Sequence, residues 1–232
     1  RNIDGYVEAF EAFGFAYERL DASELMERYP QWHLRGHERA LFQRESGLVD
    51  PGKANALHLA LARARGAEIR AECPVRAIVP EADGVRVETD GATYRADRVV
   101  VTSGAWTNRV LAGAGLELPL TVTQEQVTYY ATPNLREFSP ERFPVFMWHG
   151  EHNFYGFPVY GEVATKLGQH MGGHETTAET RTFEPDPVRQ ERYRSFLAEY
   201  LPGFLGPELY SKTCLYTVPP DQNFIIDTLP GE

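Results

Sequence analysis

The chain has 232 residues, 42% of them hydrophobic and 24% charged, which suits one large globular unit or two modest domains with a real core. Its formal net charge of −10 argues against nucleic acid or an anionic membrane as partner. No apolar run reaches the ~18 residues of a membrane-spanning helix. The two cysteines, Cys73 and Cys214, lie far apart and make neither a disulfide framework nor a zinc site, so a reducing, cytoplasmic setting is expected.

The first residues, Arg1-Asn2-Ile3-Asp4-Gly5, carry no signal-peptide pattern and no initiator Met. The last, Leu229-Pro230-Gly231-Glu232, follow directly on an expected strand, so the chain reads as an interior piece of something longer. Ile3, Tyr6, Val7, Phe10 and Phe13 recur at helical spacing, and Gly14 ends that helix. A short strand is expected at 17–20. Asp21 then caps a second helix, with Glu24 placed to close a capping box and Pro30 to stop it. A strand is expected at 41–43. A helix at 51–64 opens on Pro51 after Asp50, with Ala54, Leu57, Leu61 and Ala64 on one stripe and Gly66 as terminator.

Strands are expected at 68–71 and 75–80, then a hairpin of 84–89 and 92–95 around Asp90-Gly91. Residues 98–102, Arg-Val-Val-Val-Thr, read as a strand buried on both faces, as in a parallel sheet. Ser103-Gly104-Ala105-Trp106 turns into a helix at 107–114. A long strand region at 118–131 follows, then a meander at 143–149, 153–158 and 162–169. A helix at 189–201 shows Tyr193, Phe196, Leu197 and Tyr200 on its apolar face. Residues 212–218 form a strand that Pro219-Pro220-Asp221 breaks, and Phe224-Ile225-Ile226 reads as a short buried strand. There is no internal repeat and no low-complexity segment. The pattern is α/β plus α+β: residues 1–48 and 118–219 form a mixed unit with long antiparallel strands, interleaved with an α/β unit from 49–117 and 220–232.

Several residues invite a chemical reading beside a bland one. Cys214 shares a strand face with Tyr216, and a strand thiol is either a small core hydrophobe or a reactive group. Ser103-Gly104-Ala105-Trp106 is either an ordinary turn or a place where a cofactor approaches the backbone. The chain contains no G-x-G-x-x-G fingerprint. On a regular strand Lys166 and His170, four apart, face the same way, as do Tyr155 and Phe157. Lys166 is then a solvated edge residue or a cation in a cavity, and His170 a hydrogen-bonded histidine or a site residue. His149-Gly150-Glu151-His152 reads as a polar turn, Asp50 as a cap, and no metal site is expected.

The run Lys212-Thr213-Cys214-Leu215-Tyr216-Thr217, followed by Pro220-Asp221-Gln222-Asn223-Phe224-Ile225-Ile226-Asp227, resembles the covalent-flavin segment of the monomeric sarcosine oxidase and N-methyltryptophan oxidase family. Tyr155-Gly156-Phe157-Pro158 with Lys166-Leu167-Gly168-Gln169-His170 resembles that family's substrate cavity, and Ser103-Gly104-Ala105-Trp106 its second flavin-domain signature. The resemblance runs over nearly the whole chain. It implies a Rossmann-like flavin domain, truncated at both ends (49–117 and 220–232), and a substrate domain on a mostly antiparallel sheet. It implies FAD bonded through the sulfur of Cys214, with Ser103, Gly104, Ala105 and Trp106 as further cofactor contacts. It implies Lys166 near flavin N5 promoting reaction with oxygen, and Tyr155 and His170 lining the amine site. Met147 and Phe157 fall in the cavity region, where Met147 and Trp148 favour a substrate bulkier than sarcosine. The implied reaction oxidises the C–N bond of an N-methyl amino acid, passes electrons to oxygen, and is run by a monomer when full length. A flavin amine dehydrogenase, a glycine-oxidase-like enzyme, or a binding module on the same fold are the alternatives. The family's carboxylate-binding arginine and late lysine fall outside this chain.

Overall fold

A computed structural model describes residues 3–228. In chain order the elements are α1 (Ile3–Phe13), β1 (Glu18–Asp21), α2 (Ala22–Arg28), β2 (Arg39–Phe42), α3 (Pro51–Ala64), β3 (Val75–Glu81), β4 (Gly84–Thr89), β5 (Thr93–Ala96), α4 (Thr107–Leu111), β6 (Thr121–Tyr130), β7 (Phe146–Trp148), β8 (Phe154–Phe157), β9 (Thr165–Gln169), β10 (His174–Glu175), α5 (Pro187–Tyr200) and β11 (Glu208–Val218). The expected mixture of α/β and α+β elements is present. The ends at 1–2 and 229–232, including the last part of the second expected segment, lie outside the described residues.

The chain divides into two compact units. The first comprises Arg1–Leu48, Glu125–Gly172 and Phe183–Cys214; the second comprises Val49–Gln124, Gly173–Thr182 and Leu215–Glu232. The interleaving differs from the expected boundaries at 118–124, 173–182 and 215–219, which fall with the second unit. The reason for the middle segment is a pairing: after β9 the chain returns as β10, and His174 and Glu175 lie opposite Gln124 and Thr123.

In the first unit β7, β8, β9 and β6 pair antiparallel in that order, as the expected meander requires, and β11 also pairs with β6. Alternation along β9 sends Thr165 and Leu167 to one face, where both are fully buried. That face meets α5, whose Tyr193, Phe196 and Leu197 are buried as their helical spacing implies. Trp32, Tyr130, Phe138, Phe143, Phe154, Leu201 and Phe204 complete the cluster. Each large side chain removed from water contributes about 1.5–3 kcal/mol. Trp148 belongs to this core side. It stacks on Trp32 at 6.0 Å and lies against Tyr200 at 4.4 Å, so the expectation that it lines a substrate cavity is corrected. A small two-stranded antiparallel sheet of β1 and β2, with α2 between them in sequence, completes the unit, and Asp21 caps α2 through a full capping box with Glu24, as its spacing predicts.

In the second unit β3, β4 and β5 form an antiparallel sheet, with Asp90 in the turn ion-paired to Arg76. Gly84 is required there: its φ is +142°, and a Cβ would meet the carbonyl oxygen of Ala96 at 2.6 Å. Helix α3 has its expected bounds and its Asp50 cap, but its Leu57–Leu61 stripe is exposed. The expected strands at 68–71, 98–102 and 224–226 are not strands. Val100 is 86% exposed and Phe224 98%. Such segments become strands only when neighbours take up their N–H and C=O groups, and among the described residues no strand pairs with them.

Candidate active site

The face of the first unit's sheet opposite α5 is where half of the expected site residues meet. Because Thr165 and Leu167 point into the core, Lys166 and Gly168 point the other way. Register then brings in their neighbours. Lys166 lies opposite Tyr129 on β6 and Phe157 on β8; Gly168 lies opposite Val127 and Tyr155; Tyr155 lies opposite Met147 on β7. Strand β11 joins through Tyr210, whose ring stacks on Tyr129 at 4.6 Å between centroids. Alternation from Tyr210 puts Lys212 and Cys214 on the same face.

The details are specific. Lys166 Nζ sits 4.6 Å from the Phe157 ring centroid and 5.7 Å from that of Tyr129. Lys212 Nζ sits 5.4 Å from Tyr129 and 5.1 Å from Tyr210. Tyr155 and Phe157 meet edge to face at 6.0 Å. The Tyr155 ring lies directly over Gly168, where a Cβ would fall 2.5 Å from Cζ and 2.6 Å from Oη. Glycine at 168 is thus what lets that ring lie flat on the sheet. Met147 is 55% exposed on this face, and Cys214 is an exposed thiol.

The electrostatics follow from burial. Half-buried Lys166 holds its proton less tightly than an ordinary lysine, first because burial disfavours the ammonium and then because of Lys212; Cys214 acts in the opposite sense. Tyr210 is pushed up to about 12, first by burial and then by the nearby Glu162 carboxylate, and burial also raises Tyr129. Both phenols stay neutral at physiological pH, so the wall between the two lysines carries no negative charge of its own.

His170 differs from the expectation. Strand β9 ends at Gln169, one residue short, and His170 lies in the bend beyond, exposed, with its N–H donating to the Asn153 carbonyl at 2.8 Å. Regular alternation therefore does not carry Lys166 and His170 onto one face. Ser103, Gly104, Ala105 and Trp106 belong to the second unit. Gly104–Trp106 is a single 3₁₀ turn without a side-chain cap, and it leads into the five residues of α4. The expected strand at 98–102 is a loop, whereas the expected turn and the helix at 107–114 are present as a 3₁₀ turn, α4 and a further 3₁₀ turn at Ala112–Ala114. Lys212, Tyr129 and Tyr210 were not singled out in the sequence, although the period of two from Cys214 back through Lys212 to Tyr210 was there to be read. Among the described residues no group of three or more His, Cys, Asp or Glu could hold a metal ion. Among the same residues no helix is long and apolar enough to cross a membrane.

Residues 2–232 match the family described as FAD dependent oxidoreductase. The chain is 32% identical to a monomeric sarcosine oxidase of Streptomyces avermitilis, over 99% of its own length and 60% of the relative's. It is 34% identical to an N-methyl-L-tryptophan oxidase of Shigella dysenteriae, over 92% of its own length and 57% of the relative's. The chain thus spans about three fifths of the curated relatives it matches. Among solved structures it is similar to the open form of NikD, an unusual amino acid oxidase essential for nikkomycin biosynthesis, with a TM-score of 0.75 and 28% identity over 94% of this chain and 57% of that one. It also shares its fold with L-proline dehydrogenase from P. horikoshii, at a TM-score of 0.82 and 19% identity over 96% of this chain and 58% of that one.

Proposed function

We propose, starting from the fact that this chain belongs to the FAD dependent oxidoreductase family, that it carries the amine-oxidising face of an enzyme acting on secondary, N-methyl amino acids such as sarcosine. The substrate's C–N bond is oxidised to an imine, two electrons and two protons pass to oxygen as hydrogen peroxide, and water then splits the imine into aldehyde and amine. The observation that carries this reading is the convergence of Lys166, Tyr155, Phe157, Met147 and Cys214, from four strands, on one face of one sheet.

The residues present fit a flat, electron-accepting cofactor. An exposed thiol can bond to it, neutral aromatic rings can flank it, and a cation set among those rings can answer negative charge. FAD, when bound, supplies the two-electron acceptor. Cys214 would be the residue that holds it, through its sulfur. Lys166 stabilises the negative charge that develops on oxygen as it is reduced. Tyr155, Phe157 and Met147 form an apolar wall for the N-methyl group. They also favour the neutral amine, the reactive form, because desolvation disfavours its ammonium. The exposed Met147 gives that wall an open side, which suits a substrate bulkier than sarcosine. His170 is assigned to orienting the amine from the bend past the end of β9, not from the sheet face itself.

Peroxide and aldehyde released from N-methyl amino acids by the FAD-loaded protein test the reaction. Acid precipitation tests the attachment: yellow colour should stay with wild-type protein and wash out of Cys214→Ala. Colour that washes equally from both would show that Cys214 does not hold the cofactor.

A further inference from the structure

Gln169, the last residue of β9, is only 6% exposed, and every polar group it has is engaged. Its N–H donates to Tyr193 Oη at 3.0 Å. Its carbonyl accepts from Arg189 Nη2 at 3.2 Å. Its Oε1 accepts from Arg192 Nη1 at 2.7 Å. Its Nε2 donates to the Met171 carbonyl at 3.0 Å. Three of the four partners stand at 189, 192 and 193 of α5, a spacing that puts them on one helix face. Two of these are themselves held. Arg189 is ion-paired with Glu125 at 2.7 Å, the two side chains being 3% and 1% exposed, and Tyr193 Oη donates to the Gln126 carbonyl at 3.0 Å.

The fourth bond closes a tight turn. Met171 and Gly172 have φ of 68° and 92°, and a Cβ at 172 would fall 2.8 Å from Gln169 Nε2. His170 is the single residue between this clamped strand end and the turn that the same side chain closes. A buried amide needs partners to avoid a penalty, but an apolar side chain of similar volume would avoid the need altogether. What Gln169 adds over such a residue is a fixed direction of exit for the backbone at His170.

We propose that Gln169, gripped by Arg189, Arg192 and Tyr193, is a positioning residue that sets where His170 stands. Its relevance to catalysis rests on the reading of His170 as part of the amine site. The test is the imidazole Cε1–H signal of His170 in the folded chain. Gln169→Met keeps the volume and removes both side-chain bonds. The His170 signal should move toward its unstructured position and sharpen, while those of His33 and His58 stay and the melting temperature falls by only a few degrees. Gln169→Glu keeps the acceptor for Arg192 and loses the donor to Met171, and should move the signal less. Should Gln169→Met fail to fold, Arg192→Leu removes the same arm from a half-buried position. In the FAD-loaded protein, KM for the amine should rise severalfold with a smaller change in kcat. An unmoved His170 signal in any folded variant overturns the proposal. If wild-type protein oxidises no N-methyl amine while the signal still moves, the positioning role is supported and the amine reading alone falls.

Discussion

Lys166 places an ammonium among aromatic rings on a half-buried strand, and the cost appears in its lowered proton affinity. The cation–π contacts to Phe157 and Tyr129 return part of that cost, about 0.5–1 kcal/mol each at such sites. Since the folded value lies below the unfolded one, the penalty is fully present at neutral pH. Stability then rises as pH climbs through the window from the lowered value up to the ordinary 10.5. Lys166→Met is therefore expected to melt above wild type at pH 7, with the gain shrinking as pH approaches the top of that window. Melting below wild type at pH 7 would mean that burial is not what governs this lysine. A residue kept at a cost to stability calls for a use, and the proposed one is oxygen. Stopped-flow measurement of both half-reactions in the FAD-loaded variant should find reoxidation slowed on the order of a hundred- to a thousandfold, the 3 to 4 kcal/mol of a lost charge contact. Reduction by the amine, which must itself be neutral to react, should change far less. An equal loss in both would make Lys166 a substrate or packing residue.

At the scale of elements, what was legible was what is decided locally. The capping box of Asp21 with Glu24, the Asp50 cap before Pro51 and the Asp90-Gly91 hairpin each rest on residues within one turn, and each stands in the structure. Asp21→Ala should accordingly cost about 1 kcal/mol in a denaturant melt. A loss near zero would mean that the cap bond is replaced by water. What was not legible depends on a neighbour. Residues 98–102 have the composition of a buried strand, yet composition does not supply the strand beside it. The candidate site divides the same way. The family resemblance singles out Lys166, Tyr155, Phe157 and Cys214, and alternation tells which share a face within each strand. Only pairing tells which strands lie side by side, so Tyr129, Tyr210 and Lys212 emerged with the β6–β9 and β6–β11 contacts. His170 escaped because alternation predicts direction only while the strand lasts, and β9 ends before it.

For the molecule as a whole, buried apolar side chains are distributed unevenly. The first unit encloses a continuous aromatic cluster, and truncating Phe154 to Ala within it should lower stability by about 3–5 kcal/mol. The second unit leaves Leu57, Leu61, Val100, Phe224 and Ile226 in water, the last at 94% exposure. Isolated surface hydrophobics are ordinary, but several large aliphatic and aromatic side chains in one unit of this size invite dye binding and self-association. The folded chain should therefore enhance the fluorescence of a hydrophobic dye such as ANS well below its melting temperature. Replacing Phe224 and Ile226 together by Ser should reduce that enhancement. The melting temperature should hold, because side chains that touch little in the folded state lose little when removed. The double variant thus separates exposed surface from loosened packing. A dye signal that survives it unchanged would locate the binding elsewhere, and a lowered melting temperature would show that these side chains are packed in solution.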